Sequence, residues 1–116
     1  MEEIIAETII RDYLDAFEAR DLTRCVDFYN DDATLTFQTG VYRGRQAIER
    51  WHRDRFAADL RILEVDDTQI GPDEATVDAT ISSKKLRAWK INSLGSSLRF
   101  EFEAGKITSA KFGIRL

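Results

Sequence analysis

Among the 116 residues, one histidine, one cysteine and three tyrosines carry the side chains best able to move a proton or attack a bond. His52 is the most informative, because an imidazole with an ordinary pKa of about 6.5 gains and loses its proton near neutrality. It stands among Ile48, Trp51 and Phe56, which recur on one side of a helical stretch after Gly44. An imidazole there is either a buried ring bonded to a neighbour or a base facing a pocket. Tyr13 has the same two readings: its ring suits a core, and its hydroxyl needs a partner once buried. His52 is the natural candidate for that partner. Cys25 shares a helical face with Leu22, Val26 and Tyr29, so it reads as a packed thiol rather than a nucleophile. A lone cysteine cannot pair within the chain, which suggests a reducing compartment and a cytoplasmic location.

The paired carboxylates have a plainer reading. Asp31 and Asp32 fall between a predicted helix end and a predicted strand start, where aspartate bonds nearby backbone amides and makes turns. Asp66-Asp67 and Asp73-Glu74 read as strand ends and turns in the same way. One histidine and one cysteine do not make up the usual three or four N/S ligands of a zinc site. "SLGSS" has no lysine after it and does not read as a phosphate loop, and no nucleophile-elbow pattern is present. No metal and no cofactor are expected.

These residues need a scaffold, and the composition bounds it. A chain of this length with 43% hydrophobic residues makes one domain, 1–116, with a core of its own. The net charge is −4, with 17 basic residues scattered among 21 acidic ones, so no positive stripe is expected for nucleic acid. The opening "MEEIIAETII" is acidic and periodic rather than basic and continuously apolar, so neither a signal peptide nor a membrane span is expected.

Periodicity divides the chain into a helical first half and a strand-rich second half. Ile10, Tyr13, Leu14 and Phe17 predict an amphipathic helix from about Glu3 to Arg20. A second helix restarts at Asp21 as N-cap and carries Leu22, Cys25, Val26 and Tyr29. A third follows Gly44. Between the second and third, "ATLTFQ" and "VYR" form a short hairpin through Thr39-Gly40. From Leu60 the period becomes two, with Ala75, Val77, Ala79 and Ile81 on one face. The phase slips near Ser83 to Lys85, for which a bulge is the simplest account. After the turn "NSLGSS", Leu98, Phe100 and Phe102 alternate with charged residues, and "AGK" leads into a last strand with Thr108, Ala110, Phe112, Ile114 and Leu116. The expected class is α+β, three helices packed on one face of a curved, mainly antiparallel sheet.

The tyrosine-bearing first helix, "ARDLTRCVDFYNDDATL", the hairpin, "YRGRQAI" and the closing "AGKITSAKF" together resemble the nuclear transport factor 2-like superfamily. Within it the chain is most similar to the SnoaL-like group and to ketosteroid isomerase. The resemblance covers nearly the whole chain and implies a cystatin-like cone, a bent sheet wrapped around three helices with a deep apolar pocket. Carried over residue by residue, the isomerase's general base falls on Phe37, five residues after Asp32, and a phenyl ring accepts no proton. The acid that helps hold the enolate falls on Ser97, a weaker donor. The oxyanion tyrosine matches Tyr13, one supporting tyrosine matches Tyr29, and His52 stands at the other supporting position. Arg99 and Glu101 share a strand face, as do an arginine and an acid in epoxide hydrolases of the superfamily. With Phe100 and Phe102 inward, that pair is expected to face outward and bond across strands.

Enolisation needs a positioned base and donors for the oxygen anion. Here one donor survives and the base is missing. The resemblance therefore implies a small-molecule-binding domain, its apolar pocket lined by Phe17, Tyr29, Phe37, Trp51, Phe56, Ser97, Phe100 and Phe112. The alternative is a cofactor-independent isomerase, cyclase or dehydratase acting on an apolar cyclic substrate, with Tyr13 as donor and His52 as acid or base. Either implies a homodimer through the outer sheet face.

Overall fold

The computed structural model describes residues 2–114. Helix α1 (Glu2–Glu18) stops where Arg20 takes a φ of 58°. It buries Ile9, Ile10, Tyr13 and Phe17 along one stripe, with Leu14 half-buried at its flank. Helix α2 (Leu22–Asp27) is capped by Asp21, whose carboxylate accepts the Arg24 N–H. It ends before Tyr29, which was expected on its apolar face and instead opens strand β1 (Tyr29–Phe37).

Asp31 and Asp32 accordingly lie in the strand, in the stretch where its pairing shifts register between Tyr29 and Thr34. Asn30 there accepts the Asp32 N–H, so the local polar bonding expected of a turn serves an irregular strand start. Strand β2 (Gly40–Arg43) pairs with β1 through a turn of Gln38 and Thr39, one residue earlier than expected, because Phe37 and Gly40 are partners. Gly44 then caps helix α3 (Arg45–Ala57) with φ 83° and ψ 160°, a conformation essentially restricted to glycine.

Strands β3 (Arg61–Ile70) and β4 (Glu74–Ser82) form an antiparallel pair whose register shifts between Ile62 and Glu64 and again between Val65 and Asp67. Asp66 and Asp67 thus occupy a mid-strand irregularity rather than a strand end. The slip at Ser83 is not a bulge either. Ser83 caps a short helix α4 (Lys84–Ala88) by accepting the Leu86 N–H. Strand β5 (Leu94–Glu103) begins inside the expected turn, and β6 (Lys106–Ile114) closes the sheet. Leu116, expected in this last strand, lies outside the described residues.

The sheet order is β2-β1-β6-β5-β4-β3, with β1 parallel to β6 and every other pair antiparallel. Alternation along β4 and β5 turns Ala75, Val77, Ala79, Leu98 and Phe100 towards α1 and α3. This is the expected α+β arrangement of helices on one face of a mainly antiparallel sheet. Arg99 and Glu101 point away, and Arg99 lies 3.7 Å from the Glu74 carboxylate across the strands. At the rim, Asp59 accepts hydrogen bonds from Arg20, Arg61 and Arg87, which ties the end of α1, β3 and α4 together. Desolvation opposes its charge, but the Arg87 bond and the Arg61 and Arg20 contacts outweigh that and lower its pKa.

Candidate functional site

Tyr13 from α1, Tyr29 from β1 and His52 from α3 meet in the core, each at most 1% exposed. The Tyr29 hydroxyl donates to the Tyr13 oxygen at 2.9 Å. The Tyr13 oxygen lies 2.6 Å from His52 Nε2, and His52 Nδ1 lies 2.8 Å from the Ile48 carbonyl oxygen. A carbonyl only accepts, so Nδ1 carries the ring proton and Nε2 is left as acceptor. The protons therefore point one way: Tyr29 to Tyr13, Tyr13 to His52, His52 to Ile48. No member has a donor to spare.

Burial keeps all three groups uncharged. Desolvation lowers the His52 pKa from 6.5 to about 4, the bond to Ile48 opposing only in part. Desolvation also raises Tyr13 well above its ordinary value, with Tyr29 adding to the effect. Tyr29 is raised by the same cause. Rings close the cluster on every side: Tyr13 meets Phe28, Tyr29, His52 and Phe100 edge-on, at centroid distances of 5.7–5.9 Å. Cys25, next to this cluster, is free and buried, and desolvation pushes its thiol up to about 12. A thiolate nucleophile is thereby disfavoured.

Beside the triad lies a cavity of about 30 Å³, room for a group the size of a water molecule or a methyl. Tyr13, Phe17, Phe37, Trp51 and Phe112 line it. His52, Tyr29, Phe56, Ser97 and Phe100 do not. His52 and Tyr29 lie behind Tyr13, Phe100 packs against Tyr13 from the sheet, and Phe56 stacks edge-on with Phe17 at 5.1 Å. Ser97 has the phase opposite to Leu98 and Phe100. Its neighbour Ser96 is the serine in the lining, and its hydroxyl donates to the Gly113 carbonyl at 2.8 Å. The sequence reading missed the aliphatic wall: Leu60, Ile62, Ile81, Leu98 and Ile114. Strand alternation marks Ser96, Leu98, Ile81 and Ile114 as inward; Leu60 and Ile62 carried no signal beyond being apolar. Phe37 is half-buried at the end of β1, with its ring 5.5 Å from that of Trp51.

Residues 10–110 match the SnoaL-like domain family. The chain belongs to that family. Its fold recurs in solved structures of low sequence identity. A candidate polyketide cyclase from Sinorhizobium meliloti is 21% identical with a TM-score of 0.80, over 91% of this chain and 94% of that one. A candidate ketosteroid isomerase from Kribbella flavida is 13% identical with a TM-score of 0.85, over 100% and 82%. A protein of unknown function with a cystatin-like fold from Methylobium petroleophilum is 20% identical with a TM-score of 0.78, over 98% and 78%. No curated protein sequence matches the chain. These likenesses support the SnoaL-like cone and, at such identities, the fold alone. Among the described residues no helix is long and apolar enough to cross a membrane, and no group of three or more His, Cys, Asp or Glu could hold a metal ion.

Proposed function

We propose that this SnoaL-like domain binds a small apolar molecule at the mouth of its cone and performs no acid–base chemistry on it. The observation that carries this reading is the bond from the Tyr13 hydroxyl to His52 Nε2, with His52 Nδ1–H held on Ile48. The two hydroxyls in the lining already give their protons away, Tyr13 to His52 and Ser96 to the Gly113 carbonyl. The one imidazole that could take a proton sits behind Tyr13, outside the cavity lining. At the position of the isomerase's base stands Phe37, which has no proton acceptor. The lining is nearly all hydrocarbon, which suits an apolar ligand.

The ligand enters by displacing half-buried side chains at the rim, among them Phe37, Leu60 and Ile62. Two copies pair through the outer sheet face, where Thr76, Asp78, Thr80 and Ser97 offer small, half-buried side chains. A reducing, cytoplasmic setting suits the unpaired Cys25.

The test uses a Trp89→Phe variant, in which Trp51 is the sole tryptophan. Androst-4-ene-3,17-dione and naphthalene are titrated against its fluorescence, and androst-5-ene-3,17-dione is offered for isomerisation. Saturable change without conversion is expected. Conversion that is lost in His52→Ala would establish the enzyme reading instead, and no saturable change with either probe would remove the pocket reading.

A further inference from the structure

Two buried hydrogen-bond donors have no acceptor, Trp51 Nε1–H and Arg55 Nε–H. They stand four residues apart on α3, one turn from each other on the same face. Both meet the same side chain. The Phe37 ring lies 5.5 Å from the Trp51 ring at an interplanar angle of 65°, and the Arg55 guanidinium carbon lies 5.0 Å from the Phe37 centroid. Phe37 and Trp51 also line the cavity, whereas Arg55 is outside its lining and meets it only through the Phe37 ring.

Unsatisfied buried donors are rare enough to need a reason. Trp51 is 1% exposed, so solvent does not serve its N–H. Arg55 makes no ion pair among the described residues, whereas Arg20, Arg45, Arg53, Arg61 and Arg87 all do. The ring of Phe37 attracts the Arg55 charge, but a π face is a poor substitute for an oxygen acceptor. Phe37 is also well placed to move. It is half-buried and is the last residue of β1, next to a turn in which Gln38 has a φ of 54°.

We propose that the molecule taken by this cavity is an apolar carboxylic acid, whose carboxylate is received by Trp51 Nε1–H and the Arg55 guanidinium when the Phe37 ring turns aside. The proposal rests on the reading of the domain as an apolar-molecule binder and names the polar end of its ligand. A carboxylate has acceptors for both donors and a charge to match Arg55. A phosphate would bring up to two charges and a tighter hydration shell to a wall of hydrocarbon.

The test uses 2-naphthoate and naphthalene with the full chain, followed through the two tryptophan indole N–H signals in nitrogen-15 correlation spectra. Trp51→Phe assigns the signals, and Trp89, exposed just past the end of α4, serves as internal control. Naphthoate is expected to bind about tenfold or more tighter than naphthalene, to move the Trp51 indole N–H downfield and to leave Trp89 in place. Arg55→Gln is expected to abolish that preference, lowering naphthoate affinity about tenfold or more. Naphthalene binding as tightly as naphthoate, with the Trp51 signal unmoved, would overturn the carboxylate proposal and leave the apolar-binder reading standing. Failure of both probes to bind would overturn both.

Discussion

The Tyr13 hydroxyl and His52 Nε2 are 2.6 Å apart across 39 positions of chain, and the bond runs from phenol to imidazole because Nδ1–H is fixed on the Ile48 carbonyl. A site that looks equipped for proton transfer is thereby a closed chain of donors. The same bond holds α1 against α3, so its first consequences concern stability.

Tyr13→Phe leaves the Tyr29 hydroxyl without its acceptor and His52 Nε2 without its donor, both in a dry core. It is expected to destabilise the fold by roughly 3 kcal/mol, and Tyr29→Phe, which removes only the outer donor, by about 1 kcal/mol. Urea unfolding of the two variants checks the order. Equal costs would mean that the chain of bonds does not run as described.

His52 gives stability a pH signature. Its folded pKa is lowered from 6.5 to about 4, so between those values the unfolded chain takes up a proton that the folded chain refuses. The stabilisation is complete above pH 6.5, falls as the pH drops towards 4, and levels off below. At 1.36 kcal/mol per unit the loss is roughly 3 kcal/mol. Carboxylates titrate in the same range, so the quantity to measure is wild type minus His52→Gln by denaturant unfolding at pH 7, 5.5 and 4. That difference should shrink as the pH falls.

Ser83→Ala removes the side chain that caps α4 at the Leu86 N–H. A loss of about 1 kcal/mol is expected, with thermal unfolding as the readout. Because α4 also carries Arg87 to Asp59, protection of the Arg87 amide from hydrogen exchange should fall with it.

Pairing through the outer sheet face predicts a dimer in sedimentation velocity at micromolar concentration. Ser97→Arg, near the middle of that face, should return a folded monomer with unchanged circular dichroism. A wild-type protein that sediments as a monomer would remove this part of the proposal.

Much of this was legible in the sequence because it rests on spacing. The stripes through Tyr13 and His52 are the buried faces of their helices, and strand alternation from Ala75 to Ile81 holds in β4. What was not legible depends on shorter or longer scales. Helix α4 is five residues long, too short for a period to emerge from "KKLRAWKI", so its start looked like a slip in a strand. Ser97 came from the family resemblance alone, whereas alternation with Leu98 points to Ser96. Tyr29 kept helical spacing with Cys25 although the chain had already turned into β1. The unpartnered Trp51 and Arg55 donors leave no trace in sequence, since satisfaction of a donor is a property of the packed core.

The central claim is that the only histidine is a neutral acceptor from Tyr13 rather than a working base. Nitrogen-15 NMR of His52 between pH 8 and pH 4 tests it directly, and the signal needs no assignment because the chain has one histidine. The expected result is a ring protonated at Nδ1 and bare at Nε2, unchanged down to pH 5 and titrating well below 6.5. A ring that carries its proton on Nε2, or that titrates between pH 6 and 7, would contradict the claim and return His52 to the role of a catalytic base.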